Sequence, residues 1–386
     1  MNTDQSLPTT QTKHSLTIDW EDVKPKSSSQ GQLMFRRFRK HKLAVAGLVV
    51  LCLFYAVAVF NGFVATSDPA KRNSSYVYAP PTLPRFIDHE GNFHFRPFVY
   101  GLKSRIDPDT WERVYEIDHE KRHSLSLFVR GDKYRILGVF ESDLHLFGTA
   151  DGAPLFLLGT DSLGRDMYSR IVAGTSISLT IGLIGVFLSL VLGLLIGGLS
   201  GLVGGTTDLV IQRIIEILAS IPQIPFWMAL SATVPASWSP VQTYFAITIV
   251  LSLLSWTRVA RVVRGKFLAL READFVMAAY AMGAGNWWVI IRHLIPNFLS
   301  YVLVTVTLTI PGMILGETSL SFLGIGLKPP AISWGILLQQ AQNMRTIALR
   351  PWLLLPGVFV VIAVLAFNFV GDGLRDAADP YTSNRF

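Results

Sequence analysis

The sequence predicts an all-α polytopic membrane protein with six transmembrane helices and a mixed, β-containing extracytoplasmic insert between the first and the second. Only 16% of the 386 residues are charged, and the mean hydropathy is +0.40. The apolar residues are concentrated in runs without Asp, Glu, Lys or Arg, at 43–67, 171–207, 217–257, 293–316 and 351–371. Runs of about 18 or more such residues are long enough to cross a bilayer as helices.

The third run is too long for a single crossing. Pro235 and Pro240, with two serines between them, interrupt it and predict a turn. The helix before this turn begins with Asp208, Arg213 and Glu216, which indicates an amphipathic start where it enters the membrane. We therefore expect spans at 43–64, 174–203, 208–233, 241–262, 296–318 and 351–371.

Basic residues fix the expected direction of these spans. Five of them precede the first span, namely Arg36, Arg37, Arg39, Lys40 and Lys42. Because basic residues next to a span stay in the cytoplasm, the N-terminus is expected inside. Six crossings then place the C-terminus and the basic segment 258–292 inside as well. The insert lies outside, and a translocated segment longer than about 60 residues is largely exempt from this rule.

The spans divide the chain into four parts. Residues 1–33 are polar and lack periodicity, which predicts a disordered cytoplasmic tail. Residues 34–67 form a basic anchor and the first span, residues 68–157 form the insert, and residues 158–382 form the membrane core with a cytoplasmic loop at 263–295. Within the insert, residues 124–140 predict two strands joined by a turn at Arg130, Gly131 and Asp132.

The composition disfavours several classes of function. Cys52 is the single cysteine, which excludes an internal disulfide and a Cys-rich zinc site. The net charge of +7 comes mainly from the segments 1–42 and 258–292, which indicates membrane topology rather than a nucleic-acid surface. No phosphate-binding P-loop motif occurs. Apart from Glu317, the apolar runs lack the acids of a proton-coupled carrier, so a stand-alone carrier or channel is a weaker hypothesis.

One catalytic motif suggests an alternative function. His119, Glu120 and His123 match H-E-x-x-H, in which two histidines one helical turn apart bind zinc and the glutamate is a general base. This match would make the chain a membrane-anchored zinc metalloprotease. Against it, the middle residues Lys121 and Arg122 are both charged and no third ligand follows. These features favour a solvated charge cluster without a metal.

The cytoplasmic loop before the fifth span has the pattern of a short helix. Glu272 and Asp274 lie early in it, where the helix dipole favours acids, and small residues follow along one face. Gly283 and Gly285 end the helix, and Pro296 marks the start of the next span. Such a helix either lies on the membrane surface without a partner or fits into a cleft on a peripheral protein, and the residues alone leave both open.

The same loop resembles a motif of a known family. Ala278, Ala279 and Gly283, followed by residues 292–297, resemble the E-A-A-x3-G…I-x-L-P loop of permease subunits in bacterial binding-protein-dependent ABC importers. Within that family, the sequence is most similar to the C-type subunit of the dipeptide/oligopeptide branch. Three further segments agree with it, at 158–166, 320–335 and 368–376. Met277 departs from the family pattern, which usually has Glu at this position.

The resemblance implies a non-enzymatic subunit that forms half of the translocation pathway for peptides or similar small solutes. The fold would be that of a type I importer permease in the bacterial inner membrane, with both termini cytoplasmic. Its partners would be a second, homologous permease in a heterodimer, two cytoplasmic ATPases that bind ATP and Mg²⁺, an extracytoplasmic substrate-binding protein, and membrane lipid. No cofactor would be bound by this chain, and no nucleic acid.

The resemblance also assigns expected roles to residues. Those expected to couple the chain to the ATPases are Glu272, Ala273, Asp274, Met277, Ala278, Ala279, Gly283 and Pro296. Those expected at an outer gate or in its packing are Glu317, Gly324, Gly326, Pro329, Pro330, Trp334 and Gly335. Those expected in structural motifs are Gly159, Asp161, Gly164, Arg165, Asp166, Gly371, Asp372, Arg375 and Asp376.

The outer and terminal motifs carry local expectations. Residues 159–166 should form a turn into a surface helix, with Asp161 as its cap and Arg165 reaching the lipid headgroups. Residues 320–335 should pack into the outer mouth of the pathway. Residues 371–376 should end the sixth span at the inner face of the membrane.

Overall fold

The computed structural model describes residues 30–109, 111–136 and 138–378. Most of the expected tail, residues 1–29, and the end of the expected core, residues 379–382, lie outside the described residues. Residues 30–33, which were expected to belong to the tail, instead begin the first helix.

Thirteen α-helices occur in the described part of the chain. In chain order they are α1 Gln30–Lys40, α2 Lys42–Val59, α3 Asn61–Val64, α4 Met167–Val203, α5 Gly205–Ser220, α6 Gln223–Ala232, α7 Pro240–Leu270, α8 Asp274–Ala281, α9 Asn286–Val289, α10 Ile295–Phe322, α11 Trp334–Gln339, α12 Met344–Leu349 and α13 Leu355–Ala378. A π-helical turn, Ile290–Leu294, joins α9 to α10, and a 3-10 turn, Pro351–Leu354, precedes α13.

Five of these helical segments are long and apolar enough to cross a membrane, and a bent pair makes a sixth. The five lie in α2, α4, α7, α10 and the segment Pro351–Ala378, and the pair is α5 with α6, bent by 87°. The third span was expected as one helix at 208–233, whereas the structure divides this segment into two helices at the bend. Pro222 lacks a backbone N–H and restricts Ile221 to an extended conformation, so the helix ends there and restarts at Gln223.

The caps of α4 and α7 explain where these long helices begin. The side chain of Asp166 accepts a hydrogen bond from the backbone N–H of Ser169 at 2.8 Å. At the start of α7, Ser239 and Gln242 form a reciprocal capping box, and Pro240 occupies the first turn. Both arrangements satisfy N–H groups that have no partner inside a helix. The N-terminal ends of α4 and α7 are thus set by local sequence.

Glycines bring α4 and α7 into close contact. A Cβ added to Gly197 would lie 2.4 Å from the backbone oxygen of Ala260, and one added to Gly201 would lie 2.7 Å from Cβ of Phe267. Gly193 faces Val259 in the same way. Because lipid tails provide no hydrophobic drive for association, membrane helices pack through small residues that allow a close approach. The α4–α7 contact is therefore the central packing interaction of the membrane core.

The insert contains four antiparallel strands in the order β1 Arg85–Ile87, β2 Phe93–Ile106, β3 Arg113–Ile136 and β4 Phe140–Thr149. The first half of β3 pairs with β2, and its second half pairs with β4. The predicted turn at Arg130–Asp132 was wrong, because these residues belong to β3 at an irregularity in its pairing with β4. Gly131 is needed there for a close approach, since a Cβ would lie 2.7 Å from the ring of His145. The chain reverses after Ile136 instead.

Candidate functional site

The loop at 263–295 forms the short helix that its sequence predicts. Helix α8 begins after Ala273, which is extended, and carries Asp274 in its first turn. The helix ends at Gly283, whose φ of +84° lies in the left-handed region that favours glycine. The N–H of Gly283 donates to the oxygen of Tyr280 at 2.9 Å, and the N–H of Ala284 donates to the oxygen of Ala279 at 3.1 Å. These bonds satisfy carbonyl groups that would otherwise be left free.

One face of α8 is packed into the protein. Val276 is fully buried and Ala279 is 1% exposed. Both belong to a cluster that includes Phe267 of α7, Leu294 of the π-helical turn and Val302 of α10. The loop is therefore joined by apolar contacts to α7 and α10.

The opposite face of α8 is free and apolar. Met277 and Ala278 are exposed, and Met282, just after the helix, is 80% exposed. Trp287 and Trp288 extend this surface along α9. The two alanines of the motif are thus separated, with Ala279 facing the chain's own core and Ala278 facing away from it. An exposed apolar surface of this kind marks a contact with another protein or with the membrane.

The remaining residues expected in coupling lie at the ends of the loop. The side chain of Glu272 is largely exposed and lies 3.3 Å from a guanidinium nitrogen of Arg271. Pro296 lies in the first turn of α10, which begins at Ile295. Its position agrees with the expected start of the fifth span, because proline is tolerated in a first helical turn.

At the other end of α10, Glu317 organises the outer segment. Its Oε1 accepts hydrogen bonds from the hydroxyls of Ser321 at 2.8 Å and Ser333 at 2.7 Å. Glu317 is fully buried, and its Oε2 has no hydrogen-bond partner among the described residues. Because Ser321 ends α10 and Ser333 precedes α11, this carboxylate holds both ends of the intervening segment.

The segment between α10 and α11 is packed tightly, as expected. Trp334 is fully buried, and its ring N–H donates to the backbone oxygen of Ile171 at 3.1 Å. A Cβ on Gly326 would lie 2.6 Å from Ser321, and one on Gly335 would lie 2.8 Å from the same residue. Gly324 has a φ of +79°, and the Pro329–Pro330 bond is cis. The segment therefore lies against α4 and α10 with little space around its backbone.

The motif at residues 159–166 differs from the expectation. It leads directly into the spanning helix α4, whose cap is Asp166, rather than into a surface helix capped by Asp161. Asp161 is buried and accepts a hydrogen bond from Nε of Arg165 at 2.7 Å. Arg165 therefore pairs inside the protein instead of reaching the headgroups. Gly159 and Gly164 have positive φ, and a Cβ on Gly164 would overlap the backbone of Asn73.

The terminal motif also differs, because α13 continues through it to Ala378. Gly371 and Gly373 are packing positions, since a Cβ on Gly371 would lie 2.5 Å from Leu308. Asp372 and Arg375 are exposed, and Asp376 lies 3.8 Å from the ring of His41. The two glycines lie inside α13 and do not end it. Their small size instead lets neighbouring helices approach α13 closely.

The H-E-x-x-H motif does not form a zinc site. His119, Glu120 and His123 lie on strand β3, where the one-turn spacing of a helix does not apply. His123 is bonded to Asp151, with 2.5 Å between Nδ1 and Oδ2, and this contact lowers the pKa of Asp151. No group of three or more possible metal ligands occurs among the described residues. The metalloprotease alternative is therefore rejected.

The sequence analysis missed one ion pair, which joins α5 to α7. Arg264 on α7 donates two hydrogen bonds to the carboxylate of Asp208 on α5. The hydroxyl of Ser200 also donates to Asp208. The sequence shows Asp208 at the start of the third span and Arg264 in the basic segment. Nothing in the spacing of these two residues indicates that they are in contact.

The chain matches known proteins along most of its length. Residues 189–384 match the family described as binding-protein-dependent transport system inner membrane component, and residues 29–81 match the N-terminal TM domain of oligopeptide transport permease C. The oligopeptide transport system permease protein OppC of Haemophilus influenzae is 42% identical over 60% of this chain and 72% of its own length.

Two similar proteins match over more of the chain. The dipeptide transport system permease protein DppC of Lactococcus lactis subsp. cremoris is 33% identical over 90% of each chain. The oligopeptide transport system permease protein OppC of Bacillus subtilis is 29% identical over 94% of this chain and 93% of its own. Because these two alignments leave out no more than a tenth of this chain, they include most of the insert at 68–157.

Proposed function

The chain belongs to the family of binding-protein-dependent transport system inner membrane components, and from this we propose that it forms half of the pathway of an ATP-driven peptide importer. A substrate-binding protein delivers the peptide from outside. A second permease supplies the other half of the pathway, and two cytoplasmic ATPases bind ATP and Mg²⁺. The N- and C-termini lie in the cytoplasm, as the basic residues before α2 support.

The observation that carries this proposal is the two-sided character of α8. Its buried face packs with Phe267 and Val302, which belong to two different spans. Its exposed face presents Met277 and Ala278, with Met282 just after the helix, and no element among the described residues covers them. This arrangement suits a helix that binds a peripheral ATPase on one side and moves membrane helices on the other.

The motif residues then have distinct roles. Ala278 permits the ATPase to approach closely, whereas Ala279 allows α8 to pack on its own core. Met277 makes an apolar contact where a charged one is usual in the family. Glu272 and Asp274 lie at the start of the helix, and Gly283 sets the direction in which the chain leaves it.

ATP provides the free energy for the change between inward-open and outward-open states. A ligand shifts such an equilibrium only by its differential affinity for the two states. ATP favours the closed ATPase dimer, and α8 is the part of this chain that the dimer moves. The buried cluster under α8 then transmits the displacement to α7 and α10.

Cysteine labelling tests the orientation and the contact together. In a chain with Cys52→Ser, Met282→Cys is predicted to react with a membrane-impermeant maleimide in inverted vesicles and not in right-side-out vesicles. Phe95→Cys is the matched control, because Phe95 is 93% exposed on strand β2 of the insert and should show the reverse pattern. A short bifunctional reagent should join Met282→Cys, but not Phe95→Cys, to an ATPase subunit.

The contrary results are equally specific. Reaction of Met282→Cys from the outer side would show that the loop faces the exterior and would refute the proposed topology. Normal labelling without any cross-link to an ATPase in the assembled complex would refute α8 as the coupling contact.

A further inference from the structure

A cavity of about 230 Å³ lies between the bend of the third span, α7 and α10. Arg258 and Arg261, three residues apart on α7, line it together with Gln223, Ser255 and Thr309. None of its described lining residues is acidic. Residues three apart on a helix lie on the same side, so both guanidinium groups belong to one surface of α7.

Both arginines lack a partner within the described part of the chain. Arg264, one turn farther along α7, is paired with Asp208, but Arg258 and Arg261 have neither an ion pair nor a side-chain hydrogen bond. At 1.5 Å per residue, Arg258 lies about 27 Å along α7 from Pro240. It is therefore near the inner limit of a hydrocarbon layer about 30 Å thick. Because neither guanidinium group has a partner among the described residues, both are available to bind an anion.

The cavity differs in character from the surfaces suited to lipid. Helices α2 and α13 expose Val49, Leu53 and Val361 on their outer faces. The cavity instead exposes the two arginines and Gly312, where an added Cβ would meet no atom within 4 Å. Its open, cationic character suits an aqueous route better than a contact with acyl chains.

We propose that Arg258 and Arg261 bind the carboxylate of the transported solute in the inner half of the pathway. The proposal rests on the proposed function, in which this surface faces the pathway. A carboxylate is the matching ligand because guanidinium groups donate paired, charge-assisted hydrogen bonds to it. The free N-terminus of α6 beside Gln223 adds a weaker attraction for the same charge.

The test places a thiol in the cavity of the full chain. Gly312→Cys is made with Cys52→Ser, and the assembled complex is placed in phosphatidylcholine nanodiscs without ATP. Modification rates are measured with an anionic sulfonatoethyl and a cationic trimethylammonioethyl methanethiosulfonate. Arg258→Gln with Arg261→Gln is predicted to lower the anionic-to-cationic rate ratio by about 10-fold or more, because the cavity concentrates anions.

Two control pairs show whether the cavity charge is responsible. Arg258→Lys with Arg261→Lys should preserve the rate ratio. Arg213→Gln with Arg271→Gln, which removes two positive charges outside the cavity lining, should also preserve it. An unchanged ratio in the Arg258→Gln, Arg261→Gln variant would overturn the proposal.

Competition identifies the occupant. Trialanine, with a free carboxylate, should slow modification by the anionic reagent when the arginines are present, and trialaninamide should not. No slowing by trialanine, or slowing only when phosphatidylglycerol is added to the nanodisc, would overturn the proposal, and the second result would assign the arginines to lipid phosphate. Because these measurements require neither ATP nor transport, their failure is separate from a failure of the proposed coupling to ATPases.

Discussion

Arg264 and Asp208 join the fourth span to the first helix of the third through two hydrogen bonds, from Nε to Oδ1 and from the terminal nitrogen to Oδ2, each 2.5 Å long. The pair is partly buried, and Asp208 lies in the first turn of α5, at the end of that helix farthest from the bend. It therefore fixes α5 relative to the rigid α4–α7 pair, whereas α6 lies beyond the bend.

Breaking this pair should loosen α5. Arg264→Gln and Asp208→Asn should each lower the thermal unfolding temperature of the purified chain, because each leaves one charge without its partner. The double variant should lose less than the sum of the two, with a coupling free energy of about 1 kcal/mol. Arg213→Gln is the matched control, because its pair with Glu216 is largely exposed and such pairs contribute little. Additive losses would contradict the interaction.

The close approach of α4 and α7 can be tested at a single glycine. Gly197→Leu should destabilise the chain by about 1–3 kcal/mol, or prevent its folding, because the new side chain would overlap the backbone of Ala260. Gly265→Leu is the control, since a Cβ at that position meets no atom within 4 Å. Thermal unfolding in detergent compares the two variants. Equal stability would show that the helices can separate there without cost.

Asp166 should make stability depend on pH. It is buried at the start of α4, and burial raises its pKa from 3.8 to about 6. The folded protein therefore retains this proton at a pH where the unfolded chain has lost it. The resulting stabilisation is complete below about pH 4 and is lost as the pH rises to about 6, with a size of about 1–3 kcal/mol.

The variant Asp166→Asn isolates this effect. Asparagine is also a good helix cap, but it does not titrate. The difference in unfolding temperature between the natural chain and the variant should therefore change between pH 4 and pH 6 in favour of the variant, and then remain constant. Lys71, Asp132 and His145 line the cavity beside Asp166, and all three are present in both proteins. A constant difference over the whole range would contradict the raised pKa.

The turn at the end of α8 should be essential for coupling. Gly283→Asp is expected to leave the chain in the membrane and to abolish the substrate-stimulated ATP hydrolysis of the assembled complex, because aspartate disfavours the φ of +84° at this position. Gly285→Asp introduces the same charge two residues away, where the backbone is extended and caps α9. That control should retain most of the hydrolysis. Loss in both variants would attribute the effect to charge rather than to backbone conformation.

The positions of the spans could be predicted because Asp, Glu, Lys and Arg are absent from long apolar runs of the sequence. The bend in the third span was not predicted, although Pro222 was visible, because the apolar residues on both sides of it continue without a break. The loop helix was predicted from Asp274 and Gly283, since capping is a local property. The sequence could not show which side of α8 is buried. That side is decided by contacts with Phe267 on α7 and Val302 on α10, and these contacts form only when the helices assemble.

Other errors arose where the local sequence does not show which contact decides a residue's role. Asp161 and Asp166 lie five residues apart in one motif, and only the fold shows that the second is the helix cap. Gly131 suggested a turn, but its neighbour His145 on the next strand explains why a glycine is required. The arginine-lined cavity has no local signal, since three separate helices must assemble before Arg258 and Arg261 share a space with Gly312.

The packing beneath α8 has a mechanical consequence. Val276 and Ala279 leave almost no free volume between the loop and the spans above it. In the proposed coupling, a displacement of the exposed methionines would therefore pass through this buried cluster to α7 and α10. A movement of a bound ATPase would then be transmitted to the membrane helices with little loss.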